Sequence, residues 1–258
     1  MSYRPGPLLP SLHNKKAFTM RRPLFAGLLS AMLWCVPMFA HAADLGAVFS
    51  TGKPGGVLPA GWQNKPVVPG KKMTSYVLVA DQGTTVLQAD ANAAASGLVH
   101  EGDFDLGKTP IVTWRWKVAA PIPNADNHVS DREDAPARLV FFFAGQVDSL
   151  SIGDRAEMLA AGAVGEKLPY ATLMYIWTNS APPGTVIENP HTSRVQMIVV
   201  GSEVGKWENL RRNVVADFEK VFHEKPGKLT GYGILTDTDN TGATARAWYG
   251  DIRFSPEK

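Results

Sequence analysis

Ile111-Val112-Thr113-Trp114-Arg115-Trp116-Lys117-Val118 changes character at every step. Val112, Trp114, Trp116 and Val118 fall on one side and Thr113, Arg115 and Lys117 on the other, the period of two of a strand whose successive side chains point to opposite faces. Two tryptophans among valines belong in a core, so Arg115 and Lys117 are expected to face outward or into a polar groove.

Working outward, similar stretches recur at 73–80, 84–89, 96–100, 137–144, 172–178, 194–200, 231–236 and 245–254. Each is short, rich in β-branched and aromatic residues, and bounded by Gly, Pro, Asn or Asp, as strands are. Asp81-Gln82-Gly83 between the first two reads as a hairpin turn. Trp207, Leu210, Val214, Phe218, Val221 and Phe222 recur at steps of three and four, which predicts an amphipathic helix over 207–223 ending near Pro226-Gly227. A shorter helix is expected within 152–165. Many strands with one or two helices predict an all-β fold: a single jelly-roll-like β-sandwich over 43–258, with the 207–223 helix packed outside a sheet.

Composition agrees. The 258 residues include 24 Gly and 19 Pro, 45% are hydrophobic and 19% charged, which favours many turns and excludes a disordered chain. At the N-terminus, Lys15, Lys16, Arg21 and Arg22 precede an uncharged stretch, 23–40, that runs into Ala40-His41-Ala42. Positive flank, apolar segment and small residues at the cleavage positions predict a Sec-type signal peptide over 1–42, cut between Ala42 and Ala43, and a periplasmic or secreted product. Met20 is a second candidate start. Without 1–42 the chain keeps 21 basic against 24 acidic residues, so its net charge becomes −3 rather than +2. That balance argues against general nucleic-acid binding, and no internal apolar run reaches the ~20 residues of a membrane span. Cys35, the one cysteine, lies within the signal, so disulfides, thiolate metal sites and cysteine catalysis are excluded from the expected mature chain.

Several segments form an ordered set: Gly61-Trp62, Thr113 to Lys117, Asp134 to Arg138, Tyr175-Ile176-Trp177, Arg212-Asn213 with Asp217, Asp237 to Thr241, and Trp248 to Ile252. Together they resemble the bacterial exported family known as domain of unknown function 3047, a resemblance that implies a fold rather than a reaction. Pro59-Ala60-Gly61-Trp62 and Asp251-Ile252-Arg253-Phe254 resemble, more distantly, jelly-roll carbohydrate-binding modules of the galactose-binding-like type. That second resemblance implies a saccharide ligand and a structural calcium shared by the closing aspartate and an acid on the first strand. Val48-Phe49-Ser50 carries no such acid.

The alternation also nominates a ligand face. If the strands carrying Arg115, Arg138 and Arg194 are neighbours, their guanidinium groups and Gln196 share one concave surface, with Tyr175 or Trp177 beside them. Arginine's planar fork suits carboxylate, phosphate or sugar hydroxyls, so an anionic glycan fits. The competing reading pairs these arginines with acids such as Asp131, Glu133 and Asp134. Asp237 and Asp239 either join the arginine face or, with Asp251, offer oxygens to a calcium ion; Trp248 at the twelfth position excludes an EF-hand. Trp62, Trp177, Trp207 and Trp248 are the aromatic candidates for stacking on a sugar. Glu101, Asp103 and Asp105 alternate as glycosidase carboxylates do, but Gly102 interrupts them. His100, His128, His191 and His223 lack metal-ligand spacing, and neither a phosphate-binding glycine loop nor a Gly-x-Ser-x-Gly elbow is present. These features predict a non-catalytic module for a saccharide or cell-envelope ligand, with Arg115, Arg138, Arg194, Asp237, Asp239 and Trp177 as contacts and no cofactor beyond the calcium. A polysaccharide lyase or hydrolase, and a structural or protein-interaction module of the envelope, are the alternatives.

Overall fold

The computed structural model describes residues 46–163 and 168–257, so the expected signal peptide lies outside the described residues. Their strands are β1 (Trp62–Pro66), β2 (Ser75–Asp81), β3 (Thr84–Asn92), β4 (Ala95–Phe104), β5 (Ile111–Val118), β6 (Arg138–Phe143), β7 (Ala171–Trp177), β8 (Val186–Glu188), β9 (Val195–Gly201), β10 (Glu208–Asn213), β11 (Leu229–Asp237), β12 (Thr244–Tyr249) and β13 (Arg253–Ser255). Two helices, α1 (Ile152–Ala163) and α2 (Val214–Phe222), interrupt them. One sheet has the order β1-β4-β11-β6-β7-β9-β8, and the other β10-β5-β12-β3-β2 with β13 also beside β5. All pairings are antiparallel except β7 with β9. The result is a jelly-roll-like β-sandwich.

The core lies between the sheets and is built by the alternation read from β5. Trp114 and Trp116 point inward, and the Trp114 ring stacks on Tyr175 of the opposite sheet at 5.2 Å. From β13, Phe254 meets Tyr232 at 5.1 Å and Phe141 at 6.3 Å. Such aromatic pairs add roughly 0.5–1.5 kcal/mol each to the burial of their area. The β2–β3 turn uses Gln82 at φ 49° and Gly83 at φ 79°, both left-handed, as a two-residue turn matched to strand twist requires.

The expected helix over 207–223 is corrected to α2, seven residues shorter at its start. Residues 208–213 form β10 instead, registered on β5 from Glu208 opposite Trp116 to Asn213 opposite Ile111. Trp207, Leu210 and Val214 do stand at helical spacing. However, Glu208, Leu210 and Arg212 also alternate, and the hydrogen-bonding edge of β5 makes the extended form the favoured one. The Asn213 side chain then accepts the Ala216 N–H and caps α2. Phe218 packs on Phe143 at 4.5 Å. The Asp217 carboxylate joins the two sheets, accepting from Tyr175 Oη at 2.7 Å and from Arg212 Nε at 2.7 Å. Burial and the adjoining carboxylate push the Tyr175 hydroxyl well above its ordinary range.

The single strand expected over 245–254 is likewise two, β12 and β13, broken at Gly250-Asp251-Ile252. Ile252 there exchanges backbone hydrogen bonds of 2.9 and 2.8 Å with Ala47. This break reverses the alternation. Tyr249 and Phe254 both point inward, which turns Arg253 to the outer face.

Candidate functional site

The outer face of the six-stranded sheet is concave. β2 and the residue entering β10 belong to opposite edges, four strand spacings or roughly 19 Å apart in a flat sheet. Yet Trp207 Nε1 donates to Asp81 Oδ2 at 2.8 Å, and Lys117 Nζ from β5 meets Asp81 Oδ1 at 2.7 Å. The sheet therefore curls toward its outer side and brings the end of β2 over β5. The hydrogen bond from Lys117, with a second from Trp207, holds the Asp81 carboxyl below its usual range against the opposing effect of burial.

Within this curl two indoles stand on the sheet, each partly exposed. Trp207 is fixed by its bond to Asp81, and Trp248 by Nε1 donating to Gln88 Oε1 at 2.9 Å. Lys117 lies between them, its Nζ 5.2 Å from the Trp207 ring and 4.4 Å from that of Trp248. Arg115 extends beside them with its guanidinium 4.4 Å from the Trp207 ring, a cation–π contact. Gly250 makes room for it: a Cβ there would lie 2.6 Å from both Cγ and Nε of Arg115.

Next to Trp207, β10, β5 and β13 run side by side and set Arg211, Thr113 and Arg253 in one row across the face. This row and Arg115 line an open pocket of about 560 Å³, with Ser50, Thr84 and Thr85 on its other walls. Among its lining residues Asp251 is the one acid, and it is engaged: Ser50 donates to it from N at 2.9 Å and Oγ at 2.7 Å, and Arg253 from Nη2 at 2.7 Å.

The arginines expected to share a face do not. Arg115 lies on the six-stranded sheet, whereas Arg138 belongs to the seven-stranded one and Arg194 directly precedes its strand β9. Arg138 is 1% exposed and binds Glu133 at 2.7 Å and Asp237 at 3.0 Å. Burial opposes its charge, but Asp237 and Glu133 outweigh it and hold the guanidinium charged. Arg194 donates to the Tyr170 carbonyl at 3.0 Å and to Glu224 at 2.8 Å, and Gln196 to Glu188 at 3.2 Å. Trp177 and Tyr175 are fully buried in the core, and Trp177 Nε1 donates to the Glu203 carbonyl at 3.4 Å. Neither reaches a ligand face.

Asp237 and Asp239 do come together, with Asp134 rather than Asp251, their carboxylate oxygens lying within 4.8 Å of one another. Oxygens so placed suit a hard cation such as calcium. Here protein groups already meet them. Asp134 accepts from Thr241 N at 2.8 Å and Oγ1 at 2.6 Å, Asp237 from Ala135 N at 3.1 Å, and Asp239 from Lys71 at 2.7 Å. Burial pushes the Asp237 carboxyl up, against the pull of Arg138. Asp251 is held by Ser50 instead. Glu101, Asp103 and Asp105 each pair with a lysine at the surface, namely Lys65, Lys228 and Lys108.

The profile of the family described as "Protein of unknown function (DUF3047)" matches residues 60–253, three quarters of the chain. The chain belongs to the DUF3047 family. No curated protein matches its sequence. Among solved structures, this DUF3047 chain is similar to the family 11 carbohydrate-binding module from Clostridium thermocellum in complex with a β-1,3-1,4-mixed-linked tetrasaccharide: 7% identity, TM-score 0.39, covering 77% of this chain and 90% of that one. It is also similar to the xyloglucanase domain of NopAA from Sinorhizobium fredii in complex with cellobiose: 7% identity, TM-score 0.40, covering 82% and 98%. A third is endoglucanase 3 of family GH12 from Trichoderma harzianum: 8% identity, TM-score 0.37, covering 78% and 100%.

Arg211 and Arg253 are face residues that the sequence analysis does not nominate, whereas Trp207 is among its stacking candidates. Trp207 and Arg211 fall in the expected helix, and Arg253 in the strand expected over 245–254, which the structure breaks before it. Alternation at Glu208, Leu210 and Arg212 was the available sign, with a single apolar residue to carry it.

Proposed function

We propose that this DUF3047 protein is an exported, non-catalytic binding module and that the concave face of its six-stranded sheet takes a saccharide. The observation that carries the reading is the pair Trp207 and Trp248, partly exposed on a curled sheet and each held by its indole N–H. An indole fixed in this way offers its ring to the apolar face of a sugar without losing side-chain freedom on binding. The adjoining pocket, about 560 Å³ with hydroxyls on its walls, is of the size and character that small ligands occupy. Export rests on the N-terminal pattern of basic residues, apolar segment and Ala40-His41-Ala42.

A hydrolytic reading needs two carboxylates flanking one sugar bond. On this face Asp81, Asp90 and Asp251 are each tied to a cation: Lys117, Arg246 and Arg253. Isothermal titration calorimetry with neutral and acidic oligosaccharides tests the proposal. Binding should be seen with at least one of them, and Trp207→Ala and Trp248→Ala should each weaken it about tenfold, the upper end of an aromatic contact. Heat from no oligosaccharide would sink the reading, and undiminished binding by both variants would move the site off this face.

A further inference from the structure

The cations of the concave face divide into two kinds. Lys117, Arg246 and Arg253 each have a carboxylate, at 2.7 Å for Lys117 and Arg253. Arg115 and Arg211 form no ion pair and donate no side-chain hydrogen bond among the described residues, and both line the pocket beside Trp207. They occupy diagonal positions on neighbouring strands, Arg211 opposite Thr113 and Arg115 opposite Asn209. Diagonal neighbours sit roughly 7–8 Å apart, and like charges so placed repel. Arg115 is also half-buried, with its guanidinium over the Trp207 ring and its stem in the space above Gly250. None of its five N–H donors has an acceptor among the described residues.

Asp81 feels the charge of Arg115 without contacting it. A pair of donors held this way, with no carboxylate in contact among the described residues and next to a tryptophan, calls for a ligand that brings both an anion and an apolar ring. From this geometry we infer that the saccharide recognised is a carboxylate-bearing one, a uronic acid unit within a chain. Its carboxylate sits between Arg115 and Arg211 and its ring on Trp207. This rests on the saccharide reading above and narrows it. Planar carboxylate and guanidinium match as two parallel hydrogen bonds, and Thr113 on the strand between Arg211 and Arg253 adds a hydroxyl for the sugar. The tie between Arg253 and Asp251 keeps the third guanidinium of the pocket out of the carboxylate's place.

The experiment is calorimetric titration of the protein with trigalacturonate, its methyl ester and cellotriose, at low and at moderate salt. The acid should bind at least about tenfold more tightly than its ester, the range of one charged hydrogen-bonding partner. That preference should shrink with added salt and disappear in Arg211→Ala, whose side chain is exposed on an edge strand and not needed by the core. Arg115→Lys, which keeps the charge but loses the planar fork, should reduce it. Equal binding of acid and ester would overturn the inference and leave the saccharide reading standing. An acid preference that survives both variants would overturn the assignment to these arginines. If none of the three sugars binds, the saccharide reading fails with it.

Discussion

Arg138 and Arg211 are both strand residues with opposite fates. Arg138 is buried beneath the 133–137 segment, and carboxylates of Glu133 and Asp237 reach it at 2.7 and 3.0 Å. Arg211 stands in the open on the concave face with no acid in contact among the described residues. The difference shows what makes an arginine available to a ligand. A guanidinium taken out of water must be paired within the protein, because an isolated buried charge is costly. Once paired, it has nothing left to offer. One that stays at the surface can remain unpaired, and only there does its charge act on an incoming molecule. The Asp134, Asp237 and Asp239 cluster belongs to the first kind of region and the Trp207 platform to the second.

The largest expected effect breaks the paired region. Arg138→Ala leaves Glu133 and Asp237 without their cation in a buried site, and stability should fall by about 3–5 kcal/mol. Urea unfolding measures this, and a loss below about 1 kcal/mol would show that the cluster is solvated after all. A smaller effect concerns the lock between the edges of the curled sheet. Asp81 titrates below its ordinary value because it accepts from Lys117 and Trp207, so its contribution is complete above the unfolded value, roughly 3.9. It is lost as pH falls through the lower folded value. Trp207 emission should accordingly stay constant from neutral pH to about 4 and change only below it, and Asp81→Asn should abolish the change. A transition near pH 6 would point to another group. The smallest effect sharpens the contrast itself: Arg211→Ala should alter stability by no more than about 0.5 kcal/mol, as exposed substitutions do. A melting shift as large as that of Arg138→Ala would erase the distinction between the two regions.

How much of this was legible depends on how local each feature is. The strand over Ile111–Val118 matches its sequence reading at both ends, because a period of two with tryptophans on one side admits no other buried arrangement. Arg115 on the outer face follows from the same alternation. The 207–223 stretch misled because its apolar residues satisfied a helical period while its first part had an open sheet edge to join. The facing of Arg253 was not legible because pairing with β5 runs from Tyr249 opposite Trp116 to Arg253 opposite Thr113, four steps against three, and that one extra residue turns every later side chain to the opposite face.

By itself the sequence determined the all-β class, the β2–β3 turn, the inward tryptophans and the outward charges of β5. These depend on neighbours a few residues away, whose spacing the chain itself sets. Only the tertiary structure decided which arginines are free. Arg138 meets an aspartate 99 positions later, whereas Arg211 meets none among the described residues. The difference comes from strand order and sheet curvature, which bring together residues that no local period connects.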